Sequence, residues 1–141
     1  MQTTQKNTVP RPEYPRPQLV RDRWMNLNGP WEFEMDFGGS GKEREVYRSK
    51  KLKTQIVVPF CPESKLSGIA YEDFIPAVWY RREFALPGSW NGSRILIHFG
   101  AVDYDTEVWI NGVSAGTHRG GYTSFSFDIT EQLRPGSNVV T

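Results

Sequence analysis

From Trp31 onward, hydrophobic side chains recur at every second position. Trp31, Phe33, Met35 and Phe37 alternate with Glu32, Glu34 and Asp36, which predicts a half-buried strand with those four apolar residues on one face. Asn28-Gly29 ahead of it reads as a turn, and Pro30 opens the strand where its missing donor does little harm. The "FGGSGKER" that follows reads as a flexible loop. Ile56-Val57-Val58 is a short apolar run stopped by Pro59, and an irregular stretch rich in Gly, Ser and Pro continues to Pro76. In "VWYRREFAL", Val78, Tyr80, Arg82 and Phe84 share a face opposite Trp79, Arg81 and Glu83. Ile95, Ile97 and Phe99 then alternate with Arg94, Leu96 and His98. The next strand sets Val102, Tyr104, Thr106, Val108 and Ile110 against Asp103, Asp105, Glu107 and Trp109. Asn111-Gly112 is a strong hairpin signal, so Val113-Ser114-Ala115 is expected to return antiparallel. Phe125, Phe127 and Ile129 mark a further hairpin partner. Asp128 and Glu131 have capping-box spacing, with room for one helical turn before Pro135-Gly136.

About eight short strands with frequent turns and almost no helical period predict an all-β antiparallel sandwich. Residues 1–17, with Pro10, Pro12, Pro15 and Pro17, form an extended arm outside the domain at 18–141. That arm is either a disordered tail or is docked through Tyr14 and Leu19. The closing "NVVT" opens another strand, which leads us to expect a piece of a longer protein. Trp109 lies among acids on a polar face. It is expected to cover a neighbouring strand or face a partner domain, and burial between the two sheets would invert every face from Val102 to Ile110.

Seventeen basic and sixteen acidic residues give a net charge of +1, so the charge provides no reason to expect nucleic acid or a membrane surface as partner. The single Cys61 can form no internal disulfide and reads as a half-buried, unreactive thiol beside Pro59 and Pro62. The chain shows no long apolar span and no charged-then-apolar leader, so it reads as cytoplasmic, or as periplasmic or secreted if a signal was removed. Asn91-Gly92-Ser93 has the form of a glycosylation acceptor but reads more simply as a turn.

Asp103, Asp105 and Glu107 invite a paired-carboxylate reading, but an exposed strand face has no apolar pocket to split their pKa values. A solvated face explains them better, with a calcium site as a minor reading that lacks the calcium-loop spacing. His98 reads as an ordinary surface histidine. No serine sits on a nucleophile elbow and neither phosphate-binding glycine pattern occurs, so no catalytic residue, cofactor or metal is assigned. "THRGGYTSF" remains: Gly120-Gly121 allows a sharp path that collects His118, Arg119 and Tyr122 as candidate sugar contacts, or as a loop merely shaped by glycine.

"NLNGPWEF", "VPFCPES", "VWYRREFALP" and above all "HFGAVDYDTEVWINGVSAGTHRGGYTSFSFDIT" with "LRPGSNVV" resemble the N-terminal sugar-binding domain of glycoside hydrolase family 2, which includes β-galactosidases, β-glucuronidases and β-mannosidases. The resemblance implies a jelly roll of the galactose-binding-domain type. It also implies catalytic glutamates on a downstream barrel that follows an immunoglobulin-like domain, a carbohydrate substrate, and a chain that is inactive alone. "GIAYEDFIPAVW" resembles a region that approaches the catalytic pocket, which makes Tyr71 and Asp73 rim candidates. Two alternatives stay open. One is a free-standing carbohydrate-binding module that stacks sugars on Trp79, Trp109 or the His118–Tyr122 loop; the other is a structural or oligomer-forming domain.

Overall fold

The computed structural model describes residues 9–141. Eight strands form in order: β1 Gly29–Met35, β2 Thr54–Val58, β3 Val78–Ala85, β4 Leu96–Phe99, β5 Asp105–Ile110, β6 Val113–Arg119, β7 Phe125–Asp128 and β8 Ser137–Val140. The only helical pieces among the described residues are single 3-10 turns. A six-stranded sheet has the order β2-β1-β3-β8-β5-β6, and β4 pairs with β7 as a second layer, every pairing being antiparallel. The all-β sandwich is therefore as the alternation dictates. The partner of Phe125 and Phe127 is β4, however, and not the preceding hairpin. Phe125 packs against Phe99 from across the sequence, a long-range choice that local spacing cannot express.

The core lies between the layers. Trp31, Phe33, Ile56, Phe84, Val108, Ile110 and Val140 of the large sheet meet Ile97 of β4 and Ile129, which follows β7. Val78, Tyr80 and Phe84 point inward together, as their period-two spacing requires. Burial pushes the Tyr80 phenol up to about 12, helped by the acidic Glu63 and by Cys61. The Asn111-Gly112 hairpin forms as expected. Asn111 takes the left-handed conformation at φ 53°, and a bulge between Val108 and Trp109 shifts the register of β6.

The first strand departs from its alternation. β1 ends at Met35, Phe37 is 58% exposed, and Glu34 and Asp36 are buried. The cause is the segment that had read as a flexible loop. Residues 38–53 fold back over the outer face of the large sheet, and Val46 and Leu52 bury there with Trp79 and Trp109 in a second apolar cluster. Gly41 lies so close that a Cβ would come within 2.1 Å of the Trp79 Nε1, so only glycine fits. Trp109 is thus buried, but outside the sandwich. It stacks on Tyr47 at 5.1 Å and lies 5.4 Å from Trp79, so the register holds and the ring covers its neighbours as expected.

Asp36 anchors this fold-back. Its carboxylate accepts hydrogen bonds from the Gly41 N–H at 2.6 Å, the Ser40 N–H at 3.2 Å and the Trp79 Nε1–H at 3.1 Å, with Arg44 at 3.6 Å. Burial pushes its pKa up, but these hydrogen bonds and the Arg44 charge outweigh that effect and hold it below the ordinary aspartate value. With the folded pKa below the unfolded one, the stabilisation is complete above the unfolded value and disappears as pH falls through the folded one. Asp36→Asn is expected to lower stability by about 2 kcal/mol at neutral pH. Urea midpoints measured from pH 7 down to pH 2 should show the gap from wild type closing in acid.

The arm is partly docked. Pro10 and Arg11 carbonyls accept from Asn28 Nδ2, Arg11 also from Asn26 Nδ2, and the Tyr14 ring lies 4.6 Å from Trp24. Trp24 in turn rests 5.9 Å from His98 on the outward face of β4. Of the two expected anchors Tyr14 serves, whereas Leu19 is exposed. Residues 1–8 of the expected arm lie outside the described residues. Cys61 is exposed and not half-buried. The capping box is absent. Asp128 instead accepts from the Thr130 N–H and hydroxyl and from Arg94, which hold its pKa near about 2, and the 3-10 turn Thr130–Gln132 has no side-chain cap.

Candidate functional site at one end of the sandwich

The strand registers gather the candidate loops. Met35 at the end of β1 pairs with Val78 at the start of β3, and Asp105 at the start of β5 pairs with Arg119 at the end of β6. With β8 antiparallel to both β3 and β5, these four positions lie at the same end of the sheet. The segments around Phe37, Tyr71–Pro76, Ala101–Tyr104 and Gly120–Ser124 therefore form one rim.

Within that rim the five candidates separate. Tyr71 is half-buried and packs edge-on against Phe37 at 6.0 Å. Its N–H donates to the Pro62 carbonyl, which fixes the start of the loop. Asp73 is exposed, beside the exposed Phe74. His118 turns inward, stacking on Phe125 at 4.1 Å with planes 10° apart, while its Nε2 meets the Thr123 hydroxyl at 3.3 Å. Its Nδ1 is buried with no partner among the described residues, as is Oγ1 of Thr106, its cross-strand neighbour on the same inward face. Arg119 turns outward, bonding Asp105 at 2.9 Å and lying over the Tyr104 ring at 5.3 Å. Tyr122 is 100% exposed.

The loop "THRGGYTSF" thus forms no compact imidazole–guanidinium–phenol cluster. Strand alternation puts His118 and Arg119 on opposite faces. What it does form is a tight backbone junction: the Gly120 N–H donates to the Tyr104 carbonyl at 2.9 Å, and a Cβ on Gly121 would meet the Asp103 carboxylate at 2.8 Å. A groove of about 450 Å³ here is lined by Asp105, Thr106, Glu107, Thr117, His118 and Arg119, all polar.

Sequence reasoning missed the aromatic surface of this end. Phe37, Phe74 and Tyr104 are exposed with Tyr122, and for Phe37 and Tyr104 period-two reading pointed inward because it extended both strands too far. The stacking platform proposed on Trp79 and Trp109 does not exist, since the rings are only 9% and 7% exposed. Of the acids, Asp105 is solvated and pairs with Arg119, Glu107 is half-buried and pairs with Lys42 at 2.6 Å, and Asp103 precedes the strand. Among the described residues no group of three His, Cys, Asp or Glu side chains is placed to hold a metal ion, and no helix is long and apolar enough to cross a membrane.

Residues 24–141 match the profile of the glycosyl hydrolases family 2 sugar binding domain. The chain belongs to that family. Relatives include a β-glucuronidase of Paenibacillus borealis, 33% identical over 130 residues, covering 91% of this chain and 22% of that protein. A β-glucuronidase of Felis catus is 32% identical over 133 residues, covering 87% and 20%. Among solved structures, a β-glucuronidase from an uncultured Clostridium sp. superposes with a TM-score of 0.70 at 29% identity, covering 81% of this chain and 20% of that one. The β-glucuronidase of Ruminococcus gnavus in complex with D-glucaro-d-lactam superposes with a TM-score of 0.72 at 26% identity, covering 86% and 22%. The chain spans about a fifth of the length of these relatives. The antiparallel sandwich is thus that of the family 2 sugar-binding domain, and the motifs from "NLNGPWEF" to "LRPGSNVV" fall on the strands and turns that build it.

Proposed function

We propose that this chain is the non-catalytic sugar-binding domain of a β-glycosidase of the β-glucuronidase type. It docks on immunoglobulin-like and barrel domains of the same polypeptide and edges a carbohydrate pocket with the rim of loops described above. The observation that carries this reading is the exposed aromatic set at one end of the sheet, Phe37, Phe74, Tyr104 and Tyr122, on a domain whose relatives are several-fold longer β-glucuronidases. Exposed rings clustered at one end mark a contact surface. Tyr71 and Asp73 contribute as rim residues, Tyr71 through its fixed loop. His118 acts from behind by positioning the 119–124 turn, and Arg119 and Tyr122 face outward.

The purified 141-residue chain, titrated with simple sugars and followed by tryptophan fluorescence, is expected to show no saturable change at low millimolar sugar and no glycosidase turnover. Saturable binding in that range would favour a self-sufficient carbohydrate-binding module instead. Turnover would place catalytic groups on this domain and overturn the proposal.

A further inference from the structure

Three acids stand at alternate positions along β1 and just past its end. Glu32 and Glu34 lie opposite Arg81 and Trp79 of β3, and Asp36 follows on the same outer face. Each holds a different part of the 38–53 segment. Asp36 accepts from the Ser40 and Gly41 N–H groups near its start. Glu34 accepts from Arg44 at 3.2 Å and from Lys53 at 3.1 Å, which brings both halves of the segment onto one buried carboxylate. Glu32 accepts from the Leu52 N–H at 2.7 Å. From β3, Arg81 pairs with Glu32 and Glu83 at 2.7 Å each and donates to the Ser49 carbonyl at 3.0 Å. From β5, Glu107 pairs with Lys42 at 2.6 Å.

Backbone pairing plays no part in this attachment. Arg44 bonds to Ser40, Val46 to Gly41 and Ser49 to Val46, which closes local turns, and among the described residues no backbone–backbone hydrogen bond joins the segment to a strand. Apart from the burial of Val46 and Leu52, side-chain charges hold it in place. A unit tied down in this way can open without the rest of the fold.

The segment's own charge favours opening. Lys42, Arg44, Arg48, Lys50, Lys51 and Lys53 face only Glu43 and Glu45 within it, and Glu45 is engaged locally by Arg48 at 2.7 Å and the Tyr47 hydroxyl at 3.3 Å. The β1 acids and Glu107 offset that excess. Once they are uncharged, it becomes repulsion among the six cations.

We propose that residues 38–53 form a charge-latched flap that opens as one unit, with the sandwich intact, when the row Glu32, Glu34 and Asp36 loses its charge. Release belongs to acid solution. Burial raises the Asp36 pKa, but the Trp79, Gly41 and Ser40 donors and the Arg44 charge together leave it below the ordinary aspartate value, so its hold on the flap is lost as pH falls through that value.

Amide exchange in the intact, isotope-labelled 141-residue chain, corrected for intrinsic rates, tests the device. The Gly41 and Leu52 amides, at opposite ends of the flap, are expected to be protected equally within about three-fold, with little dependence on urea below the unfolding transition. Phe33 and Tyr80, paired within the sheet, are expected to be at least about 100-fold better protected and to lose protection steadily as urea rises. Glu34→Gln, which removes a partner of neither amide, should lower the protection of Gly41 and Leu52 by one common factor of about ten or more. Ile129→Val, in the core between the layers, should lower that of Phe33 and Tyr80 while leaving Gly41 and Leu52 unchanged, because the sandwich persists when the flap opens. Between pH 7 and pH 3 the two flap amides should lose protection together while the Ile56 and Ile129 methyl resonances keep their native positions. Gly41 and Leu52 following the urea dependence of Phe33 would overturn the proposal. So would a Glu34→Gln effect on one flap amide or neither, an Ile129→Val effect on both, or core methyl signals that collapse over the same pH range.

Discussion

Asn138→Ala is expected to lower the stability of the chain by about 3–5 kcal/mol, a large share of the total for a domain of this size. Asn138 is 1% exposed. Its amide donates to the carbonyls of Arg134 at 3.0 Å and Gly136 at 3.2 Å, and its Oδ1 accepts from the Arg134 N–H and from Asn111 Nδ2, each at 2.8 Å. Truncation removes four hydrogen bonds made by a buried amide, each worth about 0.5–1.5 kcal/mol net, and leaves a cavity where the side chain sat. Asn111 continues the network. Its Nδ2 also donates to the Gln132 carbonyl and its Oδ1 accepts from the Val139 N–H, which ties the β5–β6 turn to β8. Asn111→Gly keeps the left-handed turn while removing the amide, so its loss isolates the hydrogen bonds from the backbone effect. Urea unfolding of both single variants and the double variant should reveal strong non-additivity. Additive losses would show that the two asparagines act separately.

Trp109→Ala is the second large effect, also about 3–5 kcal/mol by the usual cost of removing a buried indole. The ring sits between Tyr47 and Trp79 with Lys42 5.9 Å from its centroid, and its removal opens a cavity that the 38–53 segment can close only by shifting its own Val46 and Leu52 from their packing on Trp79. Trp109→Phe retains stacking on Tyr47 and should lose less than half as much. Tyr122→Ala, fully exposed, should stay within about 0.5 kcal/mol of wild type. Chemical denaturation of the three variants distinguishes this outer apolar cluster from a solvated face, on which Trp109→Ala would be nearly neutral.

How far the fold was legible follows from these residues. Strand identity came through because Val78, Tyr80 and Phe84, or Val108 and Ile110, bury one face of one strand, and period two records that directly. Which strands pair came through only at Asn111-Gly112, where the turn is local; the β4–β7 pairing depends on contacts such as Phe99 with Phe125 that leave no local mark. The alternation misled at Glu34 and Asp36. Their burial depends on the Gly41 N–H, Lys53 and Arg44 arriving from a segment whose glycines read as flexible, although Gly41 is glycine because Trp79 leaves no room for more. For the candidate site, the family motifs located the rim. Alternation could have warned that consecutive residues such as His118 and Arg119 cannot share a face. The exposure of Phe74 had no signal in the sequence, since loop aromatics follow no period, whereas Tyr122 was marked out by the glycines beside it.

The segment that folds back over Trp79 and Trp109 also has a consequence for assembly. It screens the middle of the outer surface of the six-stranded layer, where Val46 and Leu52 lie over Trp79 and Trp109, and leaves Gln55, Glu83, Ser114 and Thr117 open on either side. Anything that approaches this face head-on therefore meets a short irregular strap before it reaches the strands, and loosening that strap would bare two indoles.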